Sequence, residues 1–237
     1  MVRQGSFFRR RFRRILSAIF ALTLTVVLVN CGGSPNTESE APAGTAAPAD
    51  TGTLVFGSGG QPDNLSSGDV TDGNSLYVQL QIYNYLIGNE PGSTDLVPEL
   101  ATEWTPTEDG LTWTFNLREG VTFHDGTDFN AEAVVFNVNR WWDPDFEYGF
   151  RDEGKLYEIW TYLFGGFKGD EASILADVRA VDDLTVEFEL AEPFAAFPAA
   201  IASAYFGIAS PTAIQESGAD YGTPSGLVVG TGPFVFE

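Results

Sequence analysis

Apolar and polar residues alternate through residues 111–118, where Trp113, Phe115 and Leu117 fall on one side and Thr112, Thr114, Asn116 and Arg118 on the other. A period of two is that of a half-buried strand, because successive side chains of extended backbone point to opposite faces. Glu108-Asp109-Gly110 supplies the turn leading into it. The alternation returns at 185–190, with Val186, Phe188 and Leu190 facing one way and Thr185, Glu187 and Glu189 the other. Together with 178–181, across Asp182-Asp183, this predicts a hairpin with one wet face. Between these strands the period changes to that of a helix. Val134, Val135, Val138, Trp141 and Trp142 recur at i, i+1, i+4, i+7 and i+8, behind Asn130 as a cap and ahead of Asp143-Pro144 as a stop. The two tryptophans lie on that apolar face and are read as core, not as a ligand platform.

Other segments carry shorter patterns. Leu76, Leu80, Tyr83 and Ile87 fit a helix capped by Asn74 or Ser75 and closed at Gly88, with one face laid on a sheet. Leu54-Val55-Phe56 reads as a short buried strand running into Gly57-Ser58-Gly59-Gly60-Gln61-Pro62. Glycine lets another chain or a ligand approach the backbone closely, so the loop is either a plain turn or a ligand-lining one. It is not a dinucleotide fingerprint, since Pro62 stands where the third glycine is required. Ser210-Pro211 opens a short helix that Gly218 closes. Residues 230–237 read as a tight turn entering a strand.

The N-terminus changes the picture from fold to destination. Six arginines lie within residues 3–14, and residues 15–29 carry no charge, the layout of an export signal. Fifteen helical residues reach about 22 Å, short of a bilayer core. Cys31, the sole cysteine, follows at once in Leu28-Val29-Asn30-Cys31-Gly32-Gly33, which resembles the lipobox of bacterial lipoproteins, with Asn30 in place of the usual small residue. The expectation is a signal peptide over 1–30 and lipid attachment at Cys31. Residues 34–52 are rich in Pro, Ala, Gly, Ser and Thr with no aromatic and no aliphatic larger than Ala, and are read with 31–33 as a flexible tether. Beyond the signal only six basic residues of 12 remain against 33 acids. A surface so acidic repels phosphate, which excludes nucleic acid as a partner. One Cys and one His, His124, leave no multi-Cys or His-cluster metal site.

A set of motifs, in order, then carries a family resemblance. It comprises Leu96-Val97-Pro98-Glu99-Leu100-Ala101-Thr102-Glu103-Trp104, the stretch from Asp109-Gly110 through His124-Asp125-Gly126, Asn130-Ala131-Glu132-Ala133-Val134-Val135-Phe136, Asp182-Asp183-Leu184-Thr185-Val186, and Gly230-Thr231-Gly232-Pro233-Phe234. Over residues 53–237 the chain resembles the solute-binding lipoproteins of ABC importers, family 5, the peptide/nickel group. The resemblance implies an α/β fold of the type II periplasmic-binding-protein kind, a two-lobed clamp, here with most of the first lobe plus the extra subdomain of the group. By analogy 53–85 and 181–237 are first-lobe segments and 86–180 the subdomain. In the family the turn at 230–234 lies near mid-sequence, so the chain is expected to be an N-terminal part without the second lobe.

The implied function is binding of a solute, a peptide first among the choices, and its delivery to ABC permease subunits by a monomer anchored to the membrane through lipid. The ligand main chain would run beside Ser58, Gly59, Gly60 and Gln61, while the residues gripping its ends would come from the second lobe. No catalytic residue, metal or cofactor is implied. His124 has no nucleophile or oxyanion site signalled near it, so it is read as part of a strand-to-turn element and the protein as no enzyme. The competing reading is a membrane-anchored envelope lipoprotein with an interaction role, or a fragment without function.

Overall fold

The computed structural model describes residues 53–237. Its elements in chain order are α1 (Gly73–Ile82), β1 (Ile87–Asn89), β2 (Leu96–Pro98), β3 (Ala101–Pro106), β4 (Thr112–Leu117), α2 (Ala131–Trp142), α3 (Glu158–Phe164), β5 (Leu175–Asp182), β6 (Thr185–Leu190), α4 (Phe197–Ile201) and α5 (Pro211–Ser217). The chain divides into two units, Met1–Val55 and Phe56–Glu237, and the second holds every one of these elements. The signal segment, Cys31 and the tether lie outside the described residues. No helix among the described residues is long and apolar enough to cross a membrane.

Four strands form an antiparallel sheet in the order β3-β4-β6-β5, and β1 pairs with β2 in a separate ribbon. The register sets Trp113 opposite Phe188 and Phe115 opposite Val186, so the apolar rows of β4 and β6 meet on one face. Trp113, Phe115, Leu117, Val186, Phe188 and Leu190 are all buried there, as the alternation predicts. Phe115 and Phe188 meet edge-on at 5.1 Å between centroids, a geometry the ring quadrupoles favour. The opposite face is wet, and Arg179 bridges Asp177 and Glu189 across it at 3.8 and 3.6 Å.

Helix α2 packs on the sheet through β5 and β6. Asn130 caps it, its side chain accepting from the Ala133 amide at 3.0 Å, and the helix ends at Trp142 with Asp143 extended before Pro144. Val134, Val138, Trp141 and Trp142 are buried, so both tryptophans are core. Ser210 caps α5 in the same way, with Pro211 in the first turn and Gly218 at its end.

Three local expectations are corrected. Residues 54–56 form no strand, and Leu54, Val55 and Phe56 are exposed, because no described strand offers a ladder for them. Helix α1 is capped by Asp72, not Asn74 or Ser75, its carboxylate accepting from the Ser75 amide at 2.9 Å, and it stops at Ile82 instead of Gly88. The stop has a cause: the carbonyls of Ile82 and Gln81 are taken by the amides of Gly232 and Phe234, at 2.8 and 3.0 Å, so no further helical turn can form on them. Its buried face is accordingly Ser75, Gln79 and Ile82, with Tyr77 and Leu80 outward, and Ile87 goes into β1. Finally, 234–237 contains no strand; Phe234, Val235 and Phe236 stay exposed after the turn.

Two apolar clusters result. The larger runs from Leu86 to Ile208 and contains the sheet, α2 and α3. The smaller joins Leu65, Ile82 and Tyr83 to Ala209, Ala213, Ile214, Tyr221 and Val228.

Candidate functional site

Ser58, Gly59, Gly60 and Gln61 are all exposed. Ser58 Oγ lies within reach of the Gly60 carbonyl and of Asn74 Oδ1, its single proton serving one of the two. The loop is thereby held against the first turn of α1. A Cβ on Gly60 would fall 2.7 Å from Asn74 Nδ2, whereas one on Gly59 would meet nothing within 4 Å. Among the described residues the peptide groups of Gly57, Gly59 and Gln61 pair with no other backbone group. Such groups are free to bond an extended main chain laid beside them.

The next loop, 64–69, is fastened from beneath by α2 and the segment after it. Trp141 Nε1 donates to the Ser67 carbonyl at 3.1 Å. Arg140, 1% exposed, donates to Ser66 Oγ at 2.9 Å and has no carboxylate within ion-pair distance among the described residues. Its charge rests instead on the Tyr157 and Tyr221 rings, 5.9 and 5.7 Å from the guanidinium carbon. Tyr157 takes a left-handed backbone, φ 51°, at this contact. Lys155 pairs with Asp69 at 3.1 Å, both nearly enclosed, and Asp69 also accepts from the Leu156 amide at 3.0 Å. Tyr83 and Tyr221 share a hydroxyl contact of 3.0 Å, and burial pushes both phenols above their ordinary range. Two of the six basic residues past the signal, Arg140 and Lys155, thus converge on this loop.

The chain's other end is held by His124 and Asn84. The His124 amide donates to the Gly230 carbonyl at 2.9 Å, and its ring Nε2 lies 2.8 Å from the Gly232 carbonyl, which makes Nε2 the protonated nitrogen. Thr231 Oγ1 donates to Asn84 Oδ1 at 3.0 Å. Next to His124, Asp125 accepts from Thr127 and from Ser210 Oγ. Burial raises the Asp125 carboxyl, but the bonds from Ser210 and Thr127 outweigh it and hold the group below the usual carboxylate range. Gly126 has φ +83°, the turn its type suits. His124 therefore serves a turn and faces carbonyls, not a hydroxyl or thiol.

Sequence reasoning missed Arg140, Asn84 and the tyrosine pair. The signal for Arg140 was present, for it and Asn137 flank the apolar stripe of α2 and both are buried; Asn84 and Tyr221 carry no local pattern.

The family model described as bacterial extracellular solute-binding proteins, family 5, matches residues 95–237. Heme-binding protein A of Haemophilus influenzae is 34% identical over 223 residues, covering 90% of this chain and 39% of that protein. The dipeptide-binding protein of Escherichia coli is 35% identical over 202 residues, covering 81% of this chain and 36% of that one. Among solved structures, HbpA2 of Haemophilus parasuis superposes with a TM-score of 0.64 at 32% identity, over 75% of this chain and 36% of its own. The periplasmic binding protein DppA of Helicobacter pylori, in complex with the peptide STSA, gives 0.61 at 28% identity over 75% and 35%. The chain spans less than two fifths of the length of these relatives. With a mixed α/β fold shared with periplasmic binding proteins and a family match across well over half its length, the chain belongs to family 5 of the bacterial extracellular solute-binding proteins.

Proposed function

We propose that the chain binds a peptide outside the cytoplasm and hands it to an ABC permease, without chemistry on the ligand. The observation that carries this is the exposed 57–61 loop, in which the peptide groups of Gly57, Gly59 and Gln61 pair with no other backbone group and are open to the main chain of an extended ligand. The names of a dipeptide-binding relative and of a relative solved with a peptide support the peptide class. Selectivity would come from shape and a few polar groups, with closure of a second lobe excluding water. The same reading divides the chain into first-lobe segments, 53–85 and 181–237, and a subdomain, 86–180; the fully buried residues of the smaller core come from the former, with Phe136, Tyr148 and Phe150 of the latter packed against them. The β5–β6 hairpin crosses the 180/181 boundary, however, and the larger core reaches Ile208, so the subdomain is better drawn to include that hairpin.

Calorimetric titration with a library of di- to pentapeptides tests the reading. Saturable binding with a Kd of about 1 mM is expected. Gly60→Val should weaken it roughly tenfold, since the new side chain drives Asn74 off Ser58. Haem binding without a peptide response would replace the peptide class, and silence to both would overturn a binding role for this loop.

Lipid attachment at Cys31 is part of the same proposal and rests on the arginine-rich start, the apolar run and the placement of the sole cysteine. Cys31→Ser should move the protein from the membrane to the soluble fraction. Identical fractionation of the two forms would refute the anchor.

A further inference from the structure

A cleft of about 370 Å³ opens beside the end of α1 and shares no residue with the 57–61 loop. Leu80, Ile87, Val97 and Pro98 give it apolar walls, and Glu99 is the one charged residue lining it. A hollow with apolar walls and a single convergent charge has a composition suited to a small-molecule site.

The carboxylate is built into that hollow. Asn84 Nδ2 donates to Glu99 Oε1 at 2.6 Å. The other oxygen, Oε2, sits 3.0 Å from the place a Cβ would occupy on Gly88, so glycine there makes room for it. Among the described residues Glu99 makes no ion pair, and its hydrogen-bonding side-chain partner is neutral. Burial pushes the carboxyl up, with the bonds from the Asn84 side chain and the Tyr85 amide and the Arg118 charge pulling part of the way back. The Tyr85 hydroxyl, at the same cleft, donates to the Ala204 carbonyl at 3.0 Å and so not to Glu99. A half-buried anion held only by neutral amides, the Asn84 side chain and the Tyr85 backbone, is costly, and a cation that reaches it recovers the loss.

We propose that this cleft binds a small organic ammonium ion, the charged head against Oε2 of Glu99 and the apolar body against Leu80, Val97 and Pro98. A metal ion is the poorer fit, because one carboxylate among apolar walls offers too few oxygen ligands. A neutral solute would leave the carboxylate as it is. The cleft also touches the chain's turn, for Asn84, which holds Glu99, accepts from Thr231 through its other end. This site does not depend on the peptide reading of the 57–61 loop.

The test uses benzylamine and its neutral isostere benzyl alcohol, titrated into the full chain by calorimetry. Benzylamine should bind saturably, and benzyl alcohol roughly tenfold or more weakly, the worth of a charge-assisted hydrogen bond. Glu99→Gln keeps an oxygen for Asn84 and should fold, as its melting curve will report, yet lose benzylamine binding by the same factor. Ala204→Phe, which fills the cleft and leaves Glu99 in place, should abolish binding of both probes. Equal affinity for the two probes, benzylamine binding unchanged in Glu99→Gln or in Ala204→Phe, or no saturable binding at all would each overturn the site.

Discussion

Trp141→Ala is expected to destabilise the protein by about 3–5 kcal/mol, the range for emptying a large aromatic site in a packed core. The ring is fully buried between Trp160 and Phe206, at centroid distances of 6.2 and 5.1 Å. Its Nε1 carries the bond to the Ser67 carbonyl, so truncation also leaves a buried acceptor unpaired, worth about 1 kcal/mol or more by itself. Gly68 cannot close over the gap from its side, having no side chain: a Cβ there would sit 2.3 Å from the indole Cδ1, which is why the ring and the glycine belong together. The fall in melting temperature should be about 10 °C for a domain of this size. Trp141→Phe should recover part of the packing and none of the hydrogen bond. An unchanged melt for the alanine variant, with peptide affinity lost, would turn Trp141 from core into binding platform.

What was readable in the sequence and what was not divides along one physical line. Strands β4 and β6 and helix α2 bury one face each against partners close in the chain or in the same sheet, and period and caps therefore describe them almost to the residue. Helix α1 fails that test because its end is set by residues about 150 positions away: the Gly232 and Phe234 amides occupy the carbonyls on which another turn would have formed. Its inward face is Ser75 and Gln79 in place of Leu80, a pattern no hydrophobic count would choose. The candidate loop was legible as glycine-rich and exposed, and its clasp to Asn74 follows from one serine. Beneath it, however, the loop at 64–69 owes its position to Arg140 and Lys155, far along the chain. Charge composition hinted at this only indirectly: where cations are scarce, those that remain inside are doing structural duty. Arg140 is the sharpest instance, a buried guanidinium balanced by hydroxyls and aromatic faces, which the apolar period of α2 treats as noise.

The turn at 230–234 shows how a family motif becomes a stability prediction. Gly230→Ala should cost about 3 kcal/mol, at the upper end for overpacking a closed site. A Cβ on Gly230 would lie 2.2 Å from the Ile82 carbonyl oxygen and 2.6 Å from Tyr83 Cδ1. The first of these is backbone, already engaged with the Gly232 amide at 2.8 Å, so it has no rotamer by which to give way. The turn itself must retreat. With it go the bonds from His124 to the Gly230 and Gly232 carbonyls and from Thr231 to Asn84, a set that ties the end of α1 to the strand-to-turn element. Gly59→Ala is the matched control, since its Cβ meets nothing and its effect should stay within about 0.5 kcal/mol. Urea unfolding of the two variants gives the energies, and amide exchange shows whether protection falls at residues 82–84, His124, Gly232 and Phe234 together. A Gly230→Ala cost no larger than that of the control would mean that the turn is not packed on α1, and that the ending of the helix at Ile82 needs another cause.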